Sequence, residues 1–254
     1  MSQRTLQILN VLGFILVITL NTLANTLPIN GYNTGELSGR YPNLFVPAGF
    51  TFSIWGIIYL LLLGFVIYQF TRPSREAAVP QRIGPWFFLS CLFNASWILA
   101  WHYLLPGLSL LIMLALLGSL ILIYQQVYSS PRLEVKGARW WVELPFSIYL
   151  GWITVATIAN TTAVLVDVGW GGWGIPEPAW TVVMIAVAIG IGLWFTLRQL
   201  DVFYPLVVVW ALIGIIARRT SEMAEGYSMV IVIAAAVGIG LLVAGVVRKA
   251  LQKG

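Results

Sequence analysis

A chain of 254 residues that is 59% hydrophobic and only 9% charged is excluded from the ordinary soluble class, in which about 25% of residues carry charge. Its net charge of +5 is small and sits between apolar runs, which speaks for membrane topology rather than nucleic-acid binding. The lone cysteine, Cys91, excludes an intrachain disulfide and a cysteine metal cluster.

The first apolar run, Leu6 to Leu27, lies behind Arg4. No A-x-A-like cleavage site follows it and further spans do, so it reads as a transmembrane helix rather than a signal peptide. Asn21 and Asn25 lie four residues apart near its end, placed for interhelical hydrogen bonding or capping, or for lining a polar cavity. Pro28 to Pro47 is a long polar loop whose glycines and asparagines stop the helix; a loop of this length is often a binding segment or lid.

From Tyr41 to Phe70 the chain enters on prolines and aromatics and then stays apolar for a bilayer's thickness, roughly 20 residues. Phe52, Trp55 and Tyr59 are spaced to share one face of a helix. The segment TRPSREAAVPQR then precedes a third run, Gly84 to Tyr103, and a fourth follows Pro106 so closely that the two form an antiparallel pair. After the loop SSPRLEVKGAR a fifth run covers Trp141 to Val166. The next loop, DVGWGGWGIPEPAW, lacks a P-loop's lysine, and its Trp170 and Trp173 are expected at the membrane–water interface. A sixth run covers Trp180 to Leu197, a seventh Phe203 to Ala217, and the last Tyr227 to Val247. The last contains Ala234-x-x-x-Gly238 and Gly240-x-x-x-Ala244, spacings that let helices approach closely.

Eight spans follow. Arginine and lysine concentrate on one side (Arg72, Arg75, Arg82, then Arg132, Lys136, Arg139), leaving Arg40, Arg218 and Arg219 on the other. The positive-inside rule then puts both termini in the cytoplasm of what is expected to be a bacterial cytoplasmic membrane.

Two more stripes accompany the one on the second helix. The third helix carries Trp86, Ser90, Asn94, Trp97 and Trp101, and the fifth carries Pro145, Tyr149, Trp152, Ala156 and Asn160, each set along one face. An asparagine in hydrocarbon needs hydrogen-bond partners, so Asn94 and Asn160 are expected to point inward. Apolar walls with a few convergent polar groups describe a small-molecule pocket; a well-packed aromatic core satisfies the same periodicity.

These residues resemble the translocator-protein family, also called tryptophan-rich sensory proteins (TspO/MBR). The proline-aromatic entry to the second helix followed by Trp-x-x-x-Tyr is similar to Pro47, Phe50, Phe52, Trp55 and Tyr59; Asn-x-x-Trp is similar to Asn94 and Trp97; and Tyr-Leu-x-Trp-x-x-x-Ala-x-x-x-Asn is similar to Tyr149, Leu150, Trp152, Ala156 and Asn160. Departures are Phe50 in place of a tryptophan, Ser90 in place of a glutamine, and Pro145 one turn early. The residues of the animal proteins' proposed cholesterol motif are absent. The resemblance covers about residues 1–168, and three helices follow it.

The resemblance implies an all-α integral membrane protein: a TspO/MBR-like five-helix bundle over 1–168, with 169–254 as a C-terminal extension of about three transmembrane helices. It implies a membrane sensor or carrier for a hydrophobic small molecule, a porphyrin or other tetrapyrrole first among them. The ligand-binding residues would be Phe50, Phe52, Trp55, Tyr59, Asn94, Trp97, Trp101, Tyr149, Trp152, Ala156 and Asn160, with no metal site and no required cofactor, a porphyrin or haem-like molecule being a candidate ligand only. The partners expected are the lipid bilayer, the ligand, and a second copy or a larger membrane complex, without nucleic acid. His102, the only histidine, is expected at the interface, with axial haem ligation as the alternative. Competing readings are a secondary transporter of a small solute or lipid and an accessory subunit; the acidic residues fall in loops or near helix ends, which weakens proton coupling. No catalytic motif appears, so no enzyme is expected.

Overall fold

A computed structural model describes residues 1–27, 29–128, 133–221 and 228–251, which form helices and turns with no strand among them. Pro28, Arg132 and Tyr227, which bound a loop, carry a charge and open the last run, lie outside the described residues. Eight long helices follow the eight apolar runs: α1 Gln3–Thr26, α2 Ile54–Tyr68, α3 Trp86–His102, α4 Pro106–Tyr128, α5 Leu144–Asp167, α6 Glu177–Arg198, α7 Phe203–Thr220 and α8 Met229–Leu251. Among the described residues seven stretches are long and apolar enough to cross a membrane. The remaining helix, α3, has 17 residues. At 1.5 Å per residue it is about 25 Å long, the lower end of what a bilayer core requires.

By its contacts the chain divides into two compact units, Met1–Leu37 with Ile54–Ile153, and Ser38–Ser53 with Thr154–Gly254. The expected division into 1–168 and 169–254 follows resemblance, and it cuts the chain elsewhere than its contacts do.

In the first unit α3 packs against both α1 and α4, and α2 against α1. Because lipid is as apolar as leucine, such helices associate through close packing and hydrogen bonds rather than hydrophobic burial. Gly13 supplies the first: a side chain there would press on Phe88 and Cys91 of α3. Amides supply the second. Gln7 donates to the Gln69 carbonyl at 2.7 Å, Asn10 donates to Gln69 Oε1 at 3.0 Å, and Gln69 returns a bond to the Gln7 carbonyl. Lower in the same unit Phe65, Phe87 and Phe146 meet edge to face with centroids 4.9–5.8 Å apart, joining α2, α3 and α5. Between α2 and α3 lie two short helices, Arg72–Glu76 and Val79–Ile83, each with a proline in its first turn, where no backbone N–H is needed. Leu104 takes a left-handed conformation (φ 57°) in the tight α3–α4 turn.

In the second unit α6, α7 and α8 pack mutually. Gly192 faces Leu242, and Gly238 faces Ile189 and Leu212, so small residues seat large ones across the α6–α8 contact. Of the two expected small-residue spacings only the first contributes, through Gly238. Gly240 and Ala244 are exposed on the other face, because the packed stripe of α8 is Ile231, Ala235, Gly238 and Leu242. Asp201 accepts from the first-turn amides of Phe203 and Tyr204 and so starts α7. Phe195 and Tyr204 stack at 3.7 Å across the α6–α7 turn.

The entry to α2 departs from expectation. Gly49–Ser53 is a 3-10 turn, and α-helical geometry begins only at Ile54, so Phe52 is not on the α-helical face that carries Trp55 and Tyr59. What holds the turn is α7. The Ala48 N–H donates to the Gly214 carbonyl at 2.9 Å, Trp210 Nε1 donates to the Thr51 carbonyl at 2.9 Å, and any side chain on Gly214 would collide with Thr51 and Pro47.

Candidate functional site

Trp55 is the hub of an aromatic cluster in the first unit. Its ring stacks on Tyr59 at 5.4 Å, one turn along α2, and on Trp97 of α3 at 6.0 Å. It meets Tyr149 and Trp152 of α5 edge-on at 6.1 and 6.2 Å. Trp97 passes the stack to Trp101 at 6.4 Å. These separations lie in the favourable range for aromatic pairs, 4.5–7 Å, with both stacked and edge-to-face geometry. Trp97, Trp101, Tyr149 and Trp152 are buried, while Trp55 and Tyr59 are partly exposed.

One polar relay runs beside the rings. Asn21 donates to Asn94 Oδ1 at 2.8 Å, and Asn94 donates to the Tyr149 hydroxyl at 2.8 Å. Asn94 is fully buried, as its periodicity predicts. The Tyr59 hydroxyl differs: it is enclosed, and its contact with the Asn94 side chain falls short of a well-formed hydrogen bond. A fully unsatisfied buried hydroxyl costs about 1–3 kcal/mol relative to a satisfied one. His102, expected at the interface, is buried, and its Nδ1 lies 2.8 Å from the Ile98 carbonyl, which can only accept. The bond is therefore Nδ1–H donating to the chain's own preceding turn.

Seven of the eleven expected ligand residues thus gather in the first unit: Trp55, Tyr59, Asn94, Trp97, Trp101, Tyr149 and Trp152. The other four belong to the second. There Phe50 is largely exposed and lies edge-on to Trp210 at 5.5 Å, Phe52 and Ala156 are partly buried, and Asn160 is buried.

The second unit carries a half-open cavity of about 410 Å³, within the 300–1,000 Å³ usual for small-molecule sites. Ile158, Thr161, Thr162 and Leu165 of α5 form one wall, spaced at i, i+3, i+4 and i+7, and Trp170, Ile175, Trp180 and Met184 face them, with Pro42, Asn43 and Phe45 at the side. At about 100° per residue this wall lies on the side of α5 opposite Ala156 and Asn160. The threonine hydroxyls donate to the Thr157 and Ile158 carbonyls at 2.8 and 2.7 Å, so the wall offers the cavity chiefly methyl groups. Trp170 and Trp180 lie 5.2 Å apart, and Trp180 Nε1 donates to the Gly172 carbonyl at 2.9 Å. Gly172 has φ +64°, a conformation in which a side chain would be strained.

A second cleft, about 320 Å³, is lined by Ser38, Gly39, Pro42, Asn43, Leu44, Val46, Glu177, Arg218 and Arg219. It shares Pro42, Asn43 and Glu177 with the first. Asn43 shapes the loop between them: its Oδ1 accepts from the Phe45 and Val46 amides at 3.1 Å, and its Nδ2 donates to the Tyr41 carbonyl. Glu177 accepts from the Leu44 amide at 2.7 Å. Burial, then the Asp167 carboxylate, pushes the Tyr41 phenol above its usual value, opposed by Arg40. Sequence spacing reads Trp170 as interfacial and finds neither cavity, because their walls come from four distant segments. The one local signal is the apolar-threonine face of α5. Among the described residues no cluster of histidine, cysteine and carboxylates is disposed to hold a metal ion.

The model of one protein family, described as TSPO-like protein, matches residues 7–248. The match runs through α8, well past the 168 residues over which the motifs fall. No curated protein and no solved structure matches the chain.

Proposed function

Because this chain belongs to the TSPO-like protein family and is an integral membrane protein of the ligand-binding kind, we propose that it binds a flat hydrophobic molecule, a tetrapyrrole, at the Trp55 cluster. The observation that carries the reading is the convergence of four other aromatic rings on Trp55 from α2, α3 and α5, with the buried Tyr59 hydroxyl, whose contact with Asn94 is poorly aligned, among them. Stacking surfaces suit a planar macrocycle. The hydroxyl would give it one polar handle, as small-molecule sites commonly provide. The role is binding for sensing or carriage, without turnover and without a resident metal or cofactor.

The test is titration of purified protein with protoporphyrin IX, following tryptophan emission. Saturable quenching is expected, weakened several-fold by Trp55→Leu or Trp152→Leu, since one aromatic contact is worth about 0.5–1.5 kcal/mol beyond its buried area. Recovery of the porphyrin chemically unchanged, by mass spectrometry, is expected as well. Quenching that never saturates and ignores both substitutions would leave the cluster as core packing.

A further inference from the structure

We propose that the second unit contains a separate site for an anionic amphiphile: the apolar cavity takes an acyl chain, and the adjoining cleft takes its carboxylate or phosphate head at Arg218 and Arg219. The inference goes beyond the tetrapyrrole reading and uses none of its residues.

Three observations converge on it. First, the two hollows share Pro42, Asn43 and Glu177 in their linings, so they adjoin, within reach of a single head-and-tail molecule. Second, their chemistry is split. The larger is walled by Ile158, Leu165, Ile175 and Met184 with two tryptophan rings, whereas the smaller collects two guanidinium groups against one carboxylate; Glu177 acts on the buried Arg219, and the exposed Arg218 carries the excess positive charge. Guanidinium forks match the oxygens of carboxylates and phosphates two at a time, better than a point charge does. Third, the charged groups stand at helix ends and the apolar lining runs inward from them. Glu177 opens α6 and Arg218–Arg219 close α7, whereas Met184 on α6 and Ile158 on α5 lie about two turns inside their helices, and charged helix ends mark head-group depth. An amphiphile seated there keeps its head at the level its charge demands.

The full chain in phosphatidylcholine nanodiscs is titrated with dibromostearate, whose bromines quench tryptophan on contact, and with its methyl ester. The acid is expected to quench saturably and to bind about tenfold more tightly than the ester, the worth of a charge-assisted hydrogen bond. Arg218→Gln, an exposed position, should erase that tenfold preference while leaving the ester unchanged, and Arg218→Lys should restore part of it. Thr161→Phe, which fills the cavity, should weaken both ligands. Trp55→Leu should change neither, so failure of the tetrapyrrole reading and failure of this one are separable. Displacement by oleate identifies a free fatty acid as the ligand, and displacement by dioleoylphosphatidylglycerol an acidic lipid; either supports the site. Equal affinity for acid and ester, or quenching indifferent to both Arg218→Gln and Thr161→Phe, overturns it.

Discussion

Asn21 of α1 donates its amide to Asn94 of α3 at 2.8 Å, and Asn94 hands a second bond of the same length to Tyr149 of α5. Two amides and a phenol thus tie together three helices that hydrophobic burial cannot sort in lipid. The relay borders the Trp55 cluster, so whatever fixes these helices also fixes the spacing of the rings.

Asn21→Leu and Asn94→Leu should each destabilise the fold without blocking insertion, and the double variant should cost less than their sum. Interhelical hydrogen bonds in membranes average about 0.6 kcal/mol and reach roughly 1.7. A double-mutant cycle by reversible unfolding in mixed micelles reads this coupling; strict additivity would show that the two amides act independently.

Tyr59→Phe separates stability from binding. Removing a buried hydroxyl that makes no well-formed hydrogen bond should leave the thermal midpoint unchanged or raise it, since a fully unsatisfied group costs about 1–3 kcal/mol. Protoporphyrin affinity should nevertheless fall, because the ligand loses its polar handle. A variant that loses stability would instead reveal a hydrogen bond at that oxygen.

Gly214→Val should lower stability by about 1–3 kcal/mol, the usual cost of overpacking, because its side chain would drive into Thr51 and Pro47 and lift the 3-10 turn from α7. Gly240→Val is the matched control: also helical, but facing open space. The helix-propensity change is common to both and cancels. Similar melting curves for the two variants would contradict the close approach at Gly214.

For topology, we propose that both termini are cytoplasmic, on the asymmetry of arginine and lysine between alternate loops. In a Cys91→Ser background, Tyr32→Cys and Trp173→Cys should react with a membrane-impermeant maleimide added from outside. Reaction of both from the cytoplasmic side alone rejects the orientation.

The long helices were legible because hydrophobic length is a local property. All eight runs became helices, and Pro106 did begin α4 within a few residues of α3's end. Asn94, Trp97, Tyr149 and Trp152 were legible because helical period alone aligns them. Phe52 was misplaced for the same reason: period counting assumes an α-helix from Phe52 onward, whereas the docking of residues 48–51 on Gly214 and Trp210 winds that turn more tightly. Gln69 was passed over because nothing near it in the chain is its partner; Gln7 and Asn10 lie about sixty residues away. The cavities were hidden by the same distance, their walls being drawn from residues 42–45, 158–166, 170–184 and 218–219.

The amides of α1 set a problem of timing during synthesis. Gln7 must wait 62 residues for Gln69, and Asn21 must wait 73 for Asn94. At about 5–20 residues per second, that leaves Gln7 without its partner for roughly 3–12 seconds, while Asn21 has only the Val17 carbonyl of its own helix to bond. Hydrocarbon tolerates such groups poorly. The first helix therefore has to be held against water or a polar surface of the insertion machinery until α2 and α3 emerge, and slowing translation between Thr26 and Asn94 should lengthen that dependence.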